Sequence, residues 1–180
     1  MSLSWTGPVS SDVWYVNGAT GNDANDGISP STAKKTIQAA VDLASEGQEV
    51  VVADGVYGAF SAASVNDVTI RSVNGPAATV IDGAGSSTCA KLGNAYGEVV
   101  ISIGGNTRHV NTLVGFTLRN GNAKNGGGIY GGIALNCIVS NNVATADGGG
   151  TYGSELANCL VVGNRAEGAA GGSYGGYVRN

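Results

Sequence analysis

Tyr130, Tyr152 and Tyr174 recur at equal intervals, each inside a glycine-rich string: Gly-Gly-Gly-Ile-Tyr-Gly, Gly-Gly-Gly-Thr-Tyr-Gly and Gly-Gly-Ser-Tyr-Gly. An aromatic side chain repeated at one position of a stacked structure makes a strip. If Ile129, Thr151 and Ser173 point inward, the three tyrosines point outward and can meet sugar rings with apolar faces and a hydroxyl. If the parity is reversed, they are wall residues of the core. A second group is Asp23, Asn25 and Asp26, oxygen donors of the kind Ca²⁺ takes, in the run Gly-Asn-Asp-Ala-Asn-Asp-Gly. The spacing lacks the EF-hand pattern, and a cluster of Asx turns is the structural alternative. A third chemistry is proton abstraction beside a carboxylate, which needs a base and a cation. The available cations are Arg71, Lys91, Arg108, Arg119, Lys124 and Arg165, and the acids near predicted strands are Asp54, Asp82, Glu98, Asp147 and Glu155. No set of three acids recurs at one repeat position. His109 is the single histidine, so any histidine-based triad depends on it alone.

The elements that must position these groups follow from the repeat. Asn136-Cys137-Ile138-Val139-Ser140-Asn141-Asn142 returns as Asn158-Cys159-Leu160-Val161-Val162-Gly163-Asn164, at the same interval as the tyrosines. A fixed period in the twenties indicates one supersecondary unit stacked on itself. At ~3.3 Å per residue such a unit supplies ~70 Å of perimeter, one turn of a β-solenoid with neighbours ~4.8 Å apart. An earlier copy fits with an offset one position shorter, placing Phe116-Thr117-Leu118 over Cys137-Ile138-Val139 and 120–123 over 141–144. Period-2 alternation sends Phe116, Leu118, Cys137, Val139, Cys159 and Val161 inward. Cys137 and Cys159 are then stacked neighbours whose side chains aim the same way, which favours a reduced pair. Asn142 and Asn164 are expected to form an amide ladder at a corner.

Strands are predicted at 13–16, 49–53, 68–72, 78–81, 99–103 and 113–119. One helix is predicted over 36–45, with Ile37, Ala40, Val41 and Ala44 on one face, Thr36 as N-cap and Gly47 as stop. No helix alternates with the later strands, which excludes a doubly wound sheet. The 180 residues include 31 glycines, which disfavours a helical solenoid. A net charge of −4 argues against nucleic acid as partner. No apolar run approaches the ~20 residues of a membrane-spanning helix, and no export signal is visible.

The strings Tyr-Val-Asn-Gly at 15–18, Gly-Asn-Asp-Ala-Asn-Asp-Gly at 21–27, Lys-Thr-Ile-Gln-Ala-Ala-Val-Asp at 35–42 and Val-Val-Val-Ala-Asp-Gly-Val-Tyr at 50–57 resemble the N-terminal cap and first rung of right-handed parallel β-helix proteins of the pectate-lyase-like superfamily. The strings at 114–121, 126–130 and 136–142 resemble rungs of the polymorphic outer-membrane-protein type. The resemblance implies an all-β, right-handed parallel β-helix, with residues 1–48 as a cap with one helix and 49–180 as rungs; counting the predicted strands gives about five or six rungs. It also implies an extracellular or cell-surface setting, and a superfamily in which calcium is common and some members are lyases with an Arg or Lys base. Fold alone does not choose among its activities. The expected function is a non-catalytic module that recognises carbohydrate or another surface polymer through Tyr130, Tyr152 and Tyr174. The alternatives are a Ca²⁺-assisted lyase or hydrolase acting on acidic polysaccharide, and an adhesive stalk that self-associates through an open C-terminal rung.

Overall fold

The computed structural model describes residues 13–93, 99–102, 105–108 and 110–179, with the backbone alone over 99–108. Among the described residues the regular elements are almost all β-strands, and nearly every strand pair is parallel. The strands are short because glycine or left-handed asparagine recurs every few positions. Asn120, Asn136, Asn141 and Asn158 all hold φ between 52° and 55°. Asparagine tolerates that region better than other side chains, so it turns each corner without ending the strand pairing.

The regular part of the chain visits four parallel ladders in turn. Thr112–Val114, Thr117–Arg119, Asn122–Ala123 and Ile129–Tyr130 make one circuit. Ile133–Leu135, Ile138–Ser140, Val143–Ala144 and the first half of Thr151–Ala157 make the next, each strand paired to its counterpart below. Leu118 registers with Val139, and Val139 with Val161, the two offsets that the repeat predicts. The expected single strand at 113–119 is instead two. Gly115 at φ +78° and the buried Phe116 form a corner between them, and a Cβ at Gly115 would stand 2.6 Å from the Ser72 hydroxyl.

Earlier strands join the same ladders. Val13–Val16, Glu49–Val52 and Thr69–Ser72 stack below Thr112–Val114. Gly55–Gly58 and Thr79–Asp82 lie below Thr117–Arg119. Phe60–Ser61 and Ala90–Lys91 lie below Ile129–Tyr130. The strands Val99–Ser102 and Gly105–Arg108 form an antiparallel pair inserted between circuits. Val13–Val16, within the expected 1–48 cap, is itself paired into the first ladder.

Inward positions form continuous apolar columns. Val50, Ile70, Leu113, Ala134 and Leu156 are stacked and buried, as are Tyr57, Ile81, Leu118 and Val139. Each large aliphatic side chain so buried contributes ~1.5–3 kcal/mol. The helix is shorter than its pattern suggested, Ile37–Val41 rather than 36–45. Thr36 caps it by accepting the Ala39 N–H. Its end is set by local turn contacts: Leu43 N–H turns back to Ala40 O, and the Gln48 side chain takes the Ser45 N–H at 2.8 Å. So short a helix owes its stability to packing, here of Ile37, Ala40 and Val41 in the common core. No described helix is long and apolar enough to cross a membrane.

Candidate functional site

The fourth ladder carries the tyrosines. Ile129 and Thr151 are fully buried, so the neighbouring Tyr130, Tyr152 and Tyr174 face outward and are half-buried. Their rings stack: centroids are 5.4 Å apart for Tyr130 and Tyr152 and 5.3 Å for Tyr152 and Tyr174, with planes within 9° and 14°. The outward column continues downward through Lys91 and Ser61, which register under Tyr130. The Lys91 ammonium lies 5.9 Å from the centre of the Tyr130 ring, close enough for a cation–π contact. This stacking changes what the strip can do. Each ring face is occupied by the next ring, and at the lower end by Lys91. Ring edges and phenol oxygens, rather than faces, are what the column presents, apart from the outer face of Tyr174.

Beside the lower end of this column the surface is concave. Two contiguous depressions of about 280 Å³ and about 350 Å³ share Gln38 and Ala59 in their walls. Lys35 lines the first; Ser61, Ser87, Thr88 and Lys91 line the second. Gln38 makes the wall rigid: its Oε1 accepts the Ser61 N–H at 2.8 Å and its Nε2 donates to Ser61 O at 3.1 Å.

The Asx loop serves the fold. The Asp23 carboxylate accepts the N–H groups of Lys35 and Thr36 at 2.8 and 2.9 Å and the Thr36 hydroxyl at 3.1 Å. Asn25 Nδ2 donates to Ala33 O at 3.0 Å, and Asp26 Oδ1 accepts the Ile28 N–H at 3.2 Å. Desolvation works against the charged form of Asp23, but the Thr36 and Lys35 hydrogen bonds and the Lys34 ammonium outweigh it and hold the carboxyl below its ordinary value. The Thr32 hydroxyl, followed by the Ile28 N–H, does the same for Asp26. Among the described residues, no three His, Cys, Asp or Glu side chains are gathered as a metal site. The polar side chains of this loop are hydrogen-bonded to neighbouring backbone and to the Thr36 hydroxyl.

The base-and-acid candidates are scattered. Arg71 pairs with Glu49, and Arg119 Nε donates to Asp82 at 3.0 Å. Asp54 accepts from the Asn74 amide, and Asp147 accepts the Ala169 N–H. Glu98, His109 and the Arg108 side chain lie outside the described residues.

The three cysteines are free and buried. Burial pushes the Cys89 thiol up to about 12. Cys137 and Cys159 are hydrogen-bonded across adjacent circuits. The Cys137 N–H donates to Cys159 Sγ at 3.4 Å, and the Cys159 side chain, together with burial, holds the Cys137 thiol well above its ordinary value. The Asn ladder forms as the repeat predicts: Asn142 Nδ2 donates to Asn164 Oδ1 at 3.0 Å, and Asn142 Oδ1 accepts the Gly121 N–H at 2.8 Å.

Sequence reasoning missed the groove. Its residues share no motif. Lys91 registers under Tyr130 across a stretch of sequence far longer than the repeat, because the antiparallel pair intervenes. Comparison with known proteins finds no family model, no curated protein and no solved structure that matches this chain.

Proposed function

We propose that the chain is a non-catalytic module that recognises a carbohydrate chain or another surface polymer. In this reading it is a right-handed parallel β-helix of about five or six rungs, capped at its N-terminus by the helix Ile37–Val41, and works outside the cell or on its surface. One observation carries the proposal: the outward column Ser61, Lys91, Tyr130, Tyr152, Tyr174 is continuous through five stacked strands. It presents three phenol groups at the ~4.8 Å rung spacing. A phenol both donates and accepts a hydrogen bond. A hydroxyl-rich polymer lying along the solenoid axis meets such a row repeatedly, and many weak contacts add. Because the ring faces cover each other, recognition is by edges and hydroxyls, with a sugar ring stacking only on Tyr174.

The lyase alternative has less support, since Arg71 and Arg119 are committed to Glu49 and Asp82. The test mixes the purified chain with neutral and acidic polysaccharides in affinity electrophoresis. In parallel, unsaturated product is followed by ultraviolet absorbance on polyuronides with and without Ca²⁺. Retardation without product, weakened in Tyr152→Ala, supports the module. Calcium-dependent product sinks it.

The stalk reading has one observation in its favour. Val178 stands over the buried Leu156 yet is 56 % exposed, on an edge of Ser173–Arg179 that is unpaired among the described residues. An unpaired edge with an apolar row invites a further strand. If another copy supplies it, Val178→Lys abolishes concentration-dependent association measured by light scattering; association unchanged by that substitution refutes it.

A further inference from the structure

The groove at the foot of the tyrosine column differs from the rest of the surface in charge. The chain carries 13 acidic and nine basic side chains. Yet the groove wall includes Lys35 and Lys91 and not one Asp or Glu. Neither lysine has an ion-pair partner among the described residues. Both are exposed, so their ammonium groups reach a ligand without a desolvation penalty beforehand. The exposed Asp42 and Asp23 are hydrogen-bonded to wall residues. Asp42 accepts from Gln38 Nε2 at 2.7 Å and Asp23 from the Thr36 hydroxyl at 3.1 Å, so both carboxylates are held by wall donors rather than lining the groove, and keep their charge.

Beside Lys91 the wall of the second depression offers the hydroxyls of Ser61, Ser87 and Thr88, all half-buried, while Lys35 lines the first. Hydroxyl donors in one groove with two ammonium groups suit an acceptor-only, negatively charged oxygen cluster. The two depressions together have the volume of a small-ligand site. Their position matters as much as their lining. Lys91 belongs both to the groove and to the outward column, one strand below Tyr130. A chain lying along the phenol row therefore enters the groove at its lower end.

We infer that this groove is an anion subsite that takes a carboxylate- or sulfate-bearing unit of the bound polymer, with Lys35 and Lys91 as its charge partners. The inference rests on the polymer-binding reading and adds the chemical class of the unit at one end. Lys91 has a double role: it caps the Tyr130 ring and turns its ammonium toward the anion. The Gln38–Ser61 pair of hydrogen bonds holds the floor in place whether or not a ligand is present.

The experiment is affinity electrophoresis of the full chain in gels containing dextran, dextran sulfate or polygalacturonate, at low and high salt. Wild type, Tyr152→Ala and the double variant Lys35→Gln/Lys91→Gln are compared. The expected result is stronger retardation by at least one polyanion than by dextran. That gain falls about tenfold in the double lysine variant and is reversed by salt, while retardation by dextran is unchanged. The two polyanions separate a carboxylate preference from a sulfate preference. Equal retardation of wild type and the double variant by both polyanions overturns the inference, as does no retardation by either. Lysine-dependent retardation that Tyr152→Ala leaves untouched retains the subsite and removes the phenol row as the polymer track. Both lysines are exposed, so the variants keep the fold, which circular dichroism checks.

Discussion

The two halves of this solenoid are held together in different ways. From Thr112 onward the chain repeats itself: Leu113 lies under Ala134 and Ala134 under Leu156 at almost equal sequence intervals, with corners made by the same left-handed asparagines and glycines. Before Thr112 the steps of the same column are unequal, and the one from Ile70 to Leu113 is about twice that from Val50 to Ile70. There the chain is tied by single, unrepeated contacts. Trp14 Nε1 donates to Gln48, the Tyr57 hydroxyl bridges Ala53 O and Gly18 N–H, and Gln38 clasps Ser61. A repeated unit must close tightly on its neighbours and has no room to vary. An unrepeated one accepts a long insertion, a helix and a groove.

The sharpest way to break this contrast is at glycine. In Gly127 a Cβ would stand 2.4 Å from Val143 O and 2.7 Å from Gly149 O, both backbone atoms of the circuit above. Backbone that is itself paired cannot retreat cheaply. Gly127→Ala is expected to cost ~3 kcal/mol or more in urea unfolding. Gly58, on a strand of the irregular half, has open space at its Cβ and no positive φ. Gly58→Ala is expected to be neutral, or stabilising by up to ~1 kcal/mol. Similar losses at both sites would mean that packing closeness does not separate the halves.

The next effect is at their junction. Asn111, 1 % exposed, accepts the Val68 N–H and donates to the carbonyls of Ala62, Val65 and Leu92. Asn111→Ala strands several buried backbone groups, each worth ~1–3 kcal/mol if left unsatisfied. A net loss of ~2–3 kcal/mol is expected. Because a solenoid couples only neighbouring turns, hydrogen exchange should accelerate around 62–72 and 110–114 and stay unchanged beyond 150. Acceleration spread evenly along the chain would overturn that local picture.

Why one half was legible and the other was not follows from these contacts. The repeated string around Cys137 and Cys159 carries register and parity, and so predicted the inward Val139 and the amide ladder of Asn142 and Asn164; it left the tyrosines either outward or in the core wall, and the buried Ile129 and Thr151 decide for outward. Parity is a property of backbone pleat, which sequence period carries. The tyrosine ladder implied stacking; ring rotation is not carried by period, and the planes within 9° and 14° show that the faces cover one another. Asn111 and Gln38 act on partners far along the chain, Ala62 and Leu92 for the first and Ser61 for the second. Nothing in a single sequence marks an asparagine or glutamine that reaches that far. The split at Gly115 has the same origin, since the tertiary neighbour Ser72 presses on that corner.

A smaller effect sharpens the comparison at the tyrosine column. Tyr152 stacks with a tyrosine on each side, and aromatic pairs are worth ~0.5–1.5 kcal/mol each beyond area. Tyr152→Ala is expected to lower stability by ~1–2 kcal/mol, whereas Tyr152→Phe keeps the stack. Phenylalanine lacks only the hydroxyl, so polymer retardation that falls in Tyr152→Phe with unchanged unfolding assigns recognition to the phenol edge. Unchanged retardation would assign the column to stability alone.

The smallest effect lies in the irregular half, at Asp23. Its carboxyl is depressed below the ordinary 3.8 by the Thr36 and Lys35 hydrogen bonds acting against burial. A depressed carboxyl stabilises the fold at pH values above its ordinary value and loses that contribution as pH falls through the lowered folded value. Asp23→Asn keeps an acceptor for the backbone N–H groups but not the charge. The side chain is well exposed and solvent screens it, so the loss near neutral pH is well under ~1 kcal/mol. The gap in urea midpoint between wild type and Asp23→Asn should therefore be present at about pH 7 and shrink toward zero at about pH 2. A gap that stays constant across that range would show that the loop is held by its hydrogen-bond geometry alone, with no contribution from the carboxylate charge.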